Sequence, residues 1–134
     1  MINIDMAELK ELFTSVSWAS DLSEEDLYLS ILRSSHIALQ FNEQNKLIGL
    51  ARSMDDGVYS ATIDIVVVHK DYQGKGIATK LLINLLNQIK DVQYISVSPE
   101  IENKGLYEHL GFKVINNCIL LQKVKNLDND CLKK

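Results

Sequence analysis

Ile63-Asp64-Ile65-Val66-Val67-Val68-His69-Lys70-Asp71-Tyr72-Gln73-Gly74-Lys75-Gly76-Ile77-Ala78-Thr79-Lys80, running on as LLINLLNQIK to Lys90, decides the fold. Its first part is β-branched and apolar, the pattern of a buried strand. Its last part repeats helically: Ile77, Ala78, Leu81, Leu82, Leu85, Leu86 and Ile89 fall on one stripe at spacings of three and four. Between them lie two glycines. The first N–H groups of a helix have no internal partners, and the helix dipole makes that end positive. Glycines let backbone approach a ligand and adopt positive φ. Strand, glycine loop and helix N-terminus together predict a phosphate or pyrophosphate site, with Lys75 and Lys80 adding charge.

The loop spacing separates the known solutions. A P-loop needs G-x-x-x-x-G-K-[ST], which the chain lacks. A dinucleotide fingerprint needs a third small residue where Thr79 stands, and belongs to a first βαβ unit. The pattern met here is Gln/Arg-x-x-Gly-x-Gly/Ala, by Gln73, Gly76 and Ala78. It follows an apolar strand and His69-Lys70-Asp71. This stretch closely resembles the acetyl-CoA signature of the GNAT N-acetyltransferase superfamily. A second segment later in the chain, Gly105-Leu106-Tyr107-Glu108-His109-Leu110-Gly111-Phe112, is similar to that superfamily's FYE-x-x-GF.

The remaining elements follow in order. Met6, Leu9, Leu12, Phe13 and Val16 mark a helix from Asp5 to about Ser15. Ser23 reads as the N-cap of a second helix to about Ser34, with Glu24, Glu25 and Asp26 in its first turn as caps rather than a substrate lure. His36–Phe41 and Lys46–Met54 predict a hairpin, Asp55-Asp56-Gly57 a turn, and Val58–Val68 the long strand. After the glycine-loop helix, Val92–Val97 reads as a short strand. Pro99 opens a helix to Leu110, and Gly111 stops it. Phe112–Ile115, an Asn116-Asn117 turn and Cys118–Val124 predict a closing hairpin. The expected fold is α/β (α+β): a GNAT-like mixed, mostly antiparallel sheet flanked by helices on both faces. Its first strand would be Ile2-Asn3-Ile4. Residues 1–124 form one domain and 125–134 a polar tail.

Composition excludes several classes. The chain has 134 residues, of which 46% are apolar, enough for one core. No apolar run approaches the ~18 residues of a membrane span. The N-terminus, MINIDMAELKELF, lacks a secretory h-region. Cys118 and Cys131 have no metal-ligand or pairing pattern, Cys118 is expected to be a buried thiol, and the expected compartment is the cytoplasm. A net charge of −4 argues against a nucleic-acid partner and suits a cationic amine. A homodimer through sheet edges is open.

The resemblance implies a site. Acetyl-CoA is the implied co-substrate, and no metal is implied. Its pyrophosphate falls to the loop N–H groups of Gly74, Lys75, Gly76, Ile77, Ala78 and Thr79, and Gln73 of the signature counts among the cofactor-binding residues. In the family the strand before the loop splays from its neighbour and bonds the pantetheine amides. That role falls on the backbone of Val66, Val67 and Val68, beside plain core packing, and the Val68 N–H could stabilise an oxyanion. Tyr107 matches the tyrosine that protonates or bonds the departing sulfur, or simply packs. Asp64 shares a face with Thr62, Val66 and Val68 by period-two alternation. A carboxylate in an apolar strand needs a partner or a function; it reads as base, ammonium holder or ion-pair partner. His36 and His69 are weaker bases, and His109 an exposed helix residue. Where the family often has a pantetheine-binding asparagine, this chain has Glu100, and Asn103 one turn on could substitute. Ile95 stands where peptide N-terminal acetyltransferases carry a glutamate. Trp18, Tyr28, Arg52 and Tyr59 would line the acceptor pocket, Arg52 either binding an acceptor carboxylate or pairing with Asp55 or Asp56. Two functions follow: an N-acetyltransferase acting on a small-molecule, peptide or protein amine, or a CoA-binding module without catalysis. Tyr107 with Asp64 favours the enzyme.

Overall fold

The computed structural model describes residues 3–17 and 22–125. The chain divides into two compact units, Met1–Ile101 and Glu102–Lys134. The first opens with α1 (Met6–Ser15) and α2 (Glu24–Leu32). Both helices are capped as their sequences predict. Asp5 accepts from the Glu8 N–H at 2.9 Å, and Ser23 from the Asp26 N–H at 3.1 Å. Then come β1 (His36–Phe41), β2 (Leu47–Asp55), β3 (Ser60–Val68), α3 (Ile77–Gln88) and β4 (Tyr94–Val97). The described strands form one sheet in the order β1-β2-β3-β4. β1, β2 and β3 are antiparallel, and β4 runs parallel to β3. The sheet is therefore mixed and mostly antiparallel. The turn into β3 is held by Asp56, whose carboxylate accepts N–H bonds from Val58, Tyr59 and Ser60 and is pulled below its ordinary pKa by them.

Helices cover both faces. On one, Ile37, Leu39, Leu50, Ile65 and Val67 pack with Leu9, Leu12, Phe13, Leu27 and Ile31 from α1 and α2. Alternate residues turn the other way, so Ala38, Gly49 and Ala51 lie beneath α3. Leu81, Leu82 and Leu85 of α3 and the following Ile89 are buried there. A Cβ at Gly49 would stand 3.0 Å from the Leu81 side chain and 3.1 Å from that of Ile77. Glycine thus lets the first turns of α3 settle onto β2.

The second unit holds α4 (Lys104–His109), which ends in a Schellman motif: Gly111 at φ 99° donates to the Glu108 carbonyl at 3.0 Å and Phe112 to that of Tyr107 at 3.0 Å. Four expectations are corrected here. The helix expected from Pro99 begins only at Lys104, after a 3₁₀ turn over Ile101–Asn103; Asn103 gives it no side-chain cap, and Asn103 and Gly105 are poor helix formers. The closing hairpin is absent: no described residue from 112 to 125 is in a strand, although Asn116-Asn117 does turn. Ile119 and Leu121 there are 83% and 81% exposed. A short apolar run such as Cys118–Leu121 favours burial but does not supply the backbone partner a strand requires. Cys118 is exposed, not buried, for the same reason. The expected first strand is also missing over its described part. Asn3 and Ile4 are not in a strand, though the Ile4 side chain is buried in the core; Ile2 lies outside the described residues, as do Cys131 and residues 126–134 of the tail.

Gly49→Val should push α3 off the sheet and cost about 1–3 kcal/mol of stability, as overpacking does. Urea denaturation of the two proteins measures it, and an unchanged midpoint would contradict this packing.

Candidate active site

Past β3 the backbone is fixed group by group. His69 donates its N–H to the Ile48 carbonyl at 2.8 Å and accepts at Nδ1 from the Asp71 N–H at 3.2 Å. Its buried ring meets Tyr72 edge-on, with centroids 5.9 Å apart. A 3₁₀ turn over Lys70–Tyr72 follows, with the Tyr72 hydroxyl accepting from Asn42 at 3.0 Å. His69 is thus a corner residue. Gln73 reaches back, its side-chain amide donating to the Val68 carbonyl at 3.1 Å. Gly74 and Gly76 both take left-handed φ, 78° and 79°, and nothing lies within 4 Å of where either Cβ would be. Both residues are open to the surface, as a bound phosphate requires.

Helix α3 starts with no side-chain cap and no acid in its first turn. Its first backbone bond runs from the Lys80 N–H to the Gly76 carbonyl at 3.2 Å. The N–H groups of Ile77, Ala78 and Thr79 therefore have no partner inside the helix. Lys75 Nζ lies 5.3 Å above the Tyr72 ring. These residues fit a pyrophosphate: aligned donors, positive dipole, nearby lysines and no side chain in the way.

The strand feeding this loop has an open edge. Its parallel ladder with β4 runs from Ser60↔Tyr94 to Ile63↔Val97 and stops, while β3 continues to Val68. The next residue, Asp64, is also the extra residue of a β-bulge. Ser53 pairs with Ile63 and Arg52 with Ile65, which leaves Asp64 without an opposite number. The bulge corrects the period-two reading of this strand. Asp64 does not share a face with Val66 and Val68, because the alternation slips by one at Asp64 itself.

The same slip decides which backbone groups face outward. The His69–Ile48 bond makes that pair a hydrogen-bonded one, so by antiparallel alternation Val67 and Ile65 also point their N–H and C=O at β2. Val66 and Val68 point theirs at the open edge. Of the three valines named from sequence, Val66 and Val68 can offer a ligand the polar backbone of an edge strand. Val67 is buried in the core and turned to β2.

Asp64 is half-exposed and fully engaged. Arg52 Nε donates to Oδ1 at 2.6 Å and Nη2 to Oδ2 at 2.8 Å. Arg52 therefore pairs with neither Asp55 nor Asp56. Asp55 instead accepts from His36 Nδ1 at 2.8 Å and the Ser53 hydroxyl at 3.0 Å, which also ties up His36. Tyr28 is half-buried against the core, Tyr59 stacks edge-on with Tyr94 at 5.3 Å, and Trp18 lies outside the described residues. Among the described residues no His, Cys, Asp and Glu cluster could hold a metal, and no helix is long and apolar enough to cross a membrane.

The second unit carries Tyr107, buried with its ring edge-on to Phe112 at 5.7 Å. Burial pushes its phenol above the ordinary value, which already lies well above neutral pH, so the group carries its proton there. A protonated phenol is a proton donor. Asn103, ahead of α4, is exposed, as are Glu100 and His109. The bulge was the feature missed from sequence. Its one trace is a carboxylate, Asp64, inside an otherwise apolar strand.

A family model described as an acetyltransferase (GNAT) domain matches residues 8–124. The chain belongs to the GNAT acetyltransferase family. Relatives include an uncharacterized N-acetyltransferase, ycf52, of Gracilaria tenuistipitata var. liui, 33% identical over 81% of this chain and 62% of its own length. Another is the histone acetyltransferase TAP1 of Glycine max, 30% identical over 83% of this chain and 53% of its own. The chain thus spans roughly half to two thirds of the length of these curated relatives. Among solved structures, a GNAT family acetyltransferase from Streptococcus pneumoniae TIGR4 superposes with a TM-score of 0.79 at 22% identity, covering 95% of this chain and 96% of that one. The GNAT fold is shared across that distance.

The buried phenol has a pH signature. Tyr107 holds its proton more tightly folded than unfolded, so its contribution is complete below the ordinary tyrosine value of about 10 and lost as pH rises through the folded value. In a 295 nm titration of the five tyrosines, Tyr107→Phe should remove a late-ionising phenol and flatten the alkaline fall in stability. An early-ionising phenol lost instead would contradict the burial.

Proposed function

We propose that the chain binds acetyl-CoA along β3 and the glycine loop and transfers its acetyl group directly to a primary amine. One observation carries this: the open backbone edge at Val66 and Val68 runs straight into an uncapped helix N-terminus through two left-handed glycines. The first part suits the amides of a pantetheine arm, and the second its pyrophosphate.

Acyl transfer needs an oxyanion stabilised, a thiolate protonated and an amine freed of its proton. The N–H groups of Val66 and Val68 supply donors for the oxyanion. Tyr107, a buried phenol protonated at neutral pH as any tyrosine is, suits the thiolate. Asp64 is the carboxylate offered to the amine, to hold its ammonium or pass its proton on. Asn103 is a candidate for the pantetheine arm. The acceptor in this reading is the primary amine of a small molecule, peptide or protein, and the compartment assigned is the cytoplasm.

Acetyl-CoA at a hundredfold excess over its Kd should stabilise the fold by about 2.7 kcal/mol, while NAD and ATP should not. Gly76→Glu should abolish that shift, since it forces a side chain into left-handed φ and puts a carboxylate at the anion site. Tyr107→Phe should lower kcat about 100-fold with acetyl-CoA affinity retained. A shift with NAD or ATP in place of acetyl-CoA would sink this reading. Acetyl-CoA binding without CoASH release on any amine would move the chain to a non-catalytic acyl-CoA-binding module.

A further inference from the structure

Arg52 sits where three elements meet. Its guanidinium grips both oxygens of Asp64 on β3, at 2.6 and 2.8 Å. Its remaining nitrogen, Nη1, donates to the Ser30 carbonyl at 3.1 Å and approaches the hydroxyls of Ser34 at 3.4 Å and Ser30 at 3.5 Å, all at the end of α2. The Arg52 side chain is 12% exposed, so its position is set by packing as well as by charge. Arg52 is also the residue of β2 at which the register with β3 slips. The residue it grips is the one the slip leaves over, and the first beyond the last β3–β4 pair.

A bulge keeps its place only while one register is favoured over its neighbours. If this one moved past Val68 or closed, the phase of residues 64–68 would reverse. Val66 and Val68 would then turn their N–H and C=O groups to β2, and Ile65 and Val67 would face the open edge. Valine and isoleucine side chains fill the whole stretch, so hydrophobicity alone discriminates weakly between the two phases. The bidentate pair discriminates strongly, because only a residue displaced from the ladder at this point can meet a guanidinium anchored on α2.

We infer that Arg52 is a positioning residue: by holding Asp64 in the bulge and itself on α2, it sets Val66 and Val68 toward the edge where the pantetheine arm of acetyl-CoA would lie. The inference rests on the proposed acetyl-CoA site.

The test titrates two ligands by calorimetry into the wild-type chain, Arg52→Met, Arg52→Lys and Asp64→Asn. Acetyl-CoA has both arm and pyrophosphate; 3′-phospho-ADP has the pyrophosphate alone. Arg52→Met and Asp64→Asn should each weaken acetyl-CoA binding about tenfold or more, and together no further than singly. Binding of 3′-phospho-ADP should stay within about twofold, since the loop is untouched. Arg52→Lys, which keeps the charge but loses the fork, should fall between. If Arg52→Met fails to fold, Arg52→Lys and Asp64→Asn carry the comparison. Wild-type acetyl-CoA affinity in the folded variants overturns the role of Arg52. So does equal weakening of both ligands, which marks a general loss of structure. Failure of the wild-type chain to bind acetyl-CoA at all overturns the site itself, a result separate from either.

Discussion

Strand β3 has two neighbours along its first half and one along its second, and everything at the site depends on where that change falls. The parallel ladder ends at Ile63↔Val97, and the antiparallel ladder slips at the next residue. An unpaired strand edge is ordinarily a hazard, since it invites pairing with another chain. Here the open length is short, Asp64 to Val68, and it ends in the corner made by His69. One missing strand partner leaves room for an extended ligand. One extra residue turns the right backbone groups toward it.

The helix that follows is built to the same end. α1 and α2 are closed by side-chain caps from Asp5 and Ser23, and α2 carries three acids in its first turn. α3, the longest of the helices, has Gly76 in that position, with no cap and no acid. With glycine in the cap position, omitting a side-chain cap costs only about a few tenths of a kcal/mol. The buried stripe of Leu81, Leu82, Leu85 and Ile89 readily offsets this. Gly49 completes the arrangement from below. Because it lacks a side chain, Ile77 and Leu81 rest close on β2, and the uncapped N-terminus is delivered at the end of β3 rather than lifted from it.

Much of this was legible in the chain. β1 spans the residues its alternation predicts, His36–Phe41, and the caps at Asp5 and Ser23 do what their types imply. The glycine loop was readable because left-handed φ and close ligand approach both demand glycine. What the residues did not disclose was phase and partnership. Ile63, Ile65, Val66, Val67 and Val68 form a run apolar on both faces, and such a run carries no sign of a slipped register. The face given to Asp64 was wrong for that reason alone. Phe112–Val124 shows the complementary failure: its residues are apolar enough for two strands, yet no ladder partner forms among the described residues, and Cys118 is exposed with it.

Asp64 then poses a question of energetics. A carboxylate in a strand of isoleucine and valine must be there for some gain, and stability is a poor candidate. Arg52 is only 12% exposed, so desolvating its guanidinium offsets much of the attraction to Asp64, and the pair returns little net stability. Two apolar residues in place of the pair would bury more apolar surface, whereas removing Asp64 alone would leave a largely buried cation without its carboxylate. The pair offers discrimination instead. Two registers that bury nearly the same valines differ little in hydrophobic free energy, so a two-point ion pair that only one of them can form decides the population. A geometry-specific contact that adds little net stability is sufficient to choose which backbone groups a ligand meets.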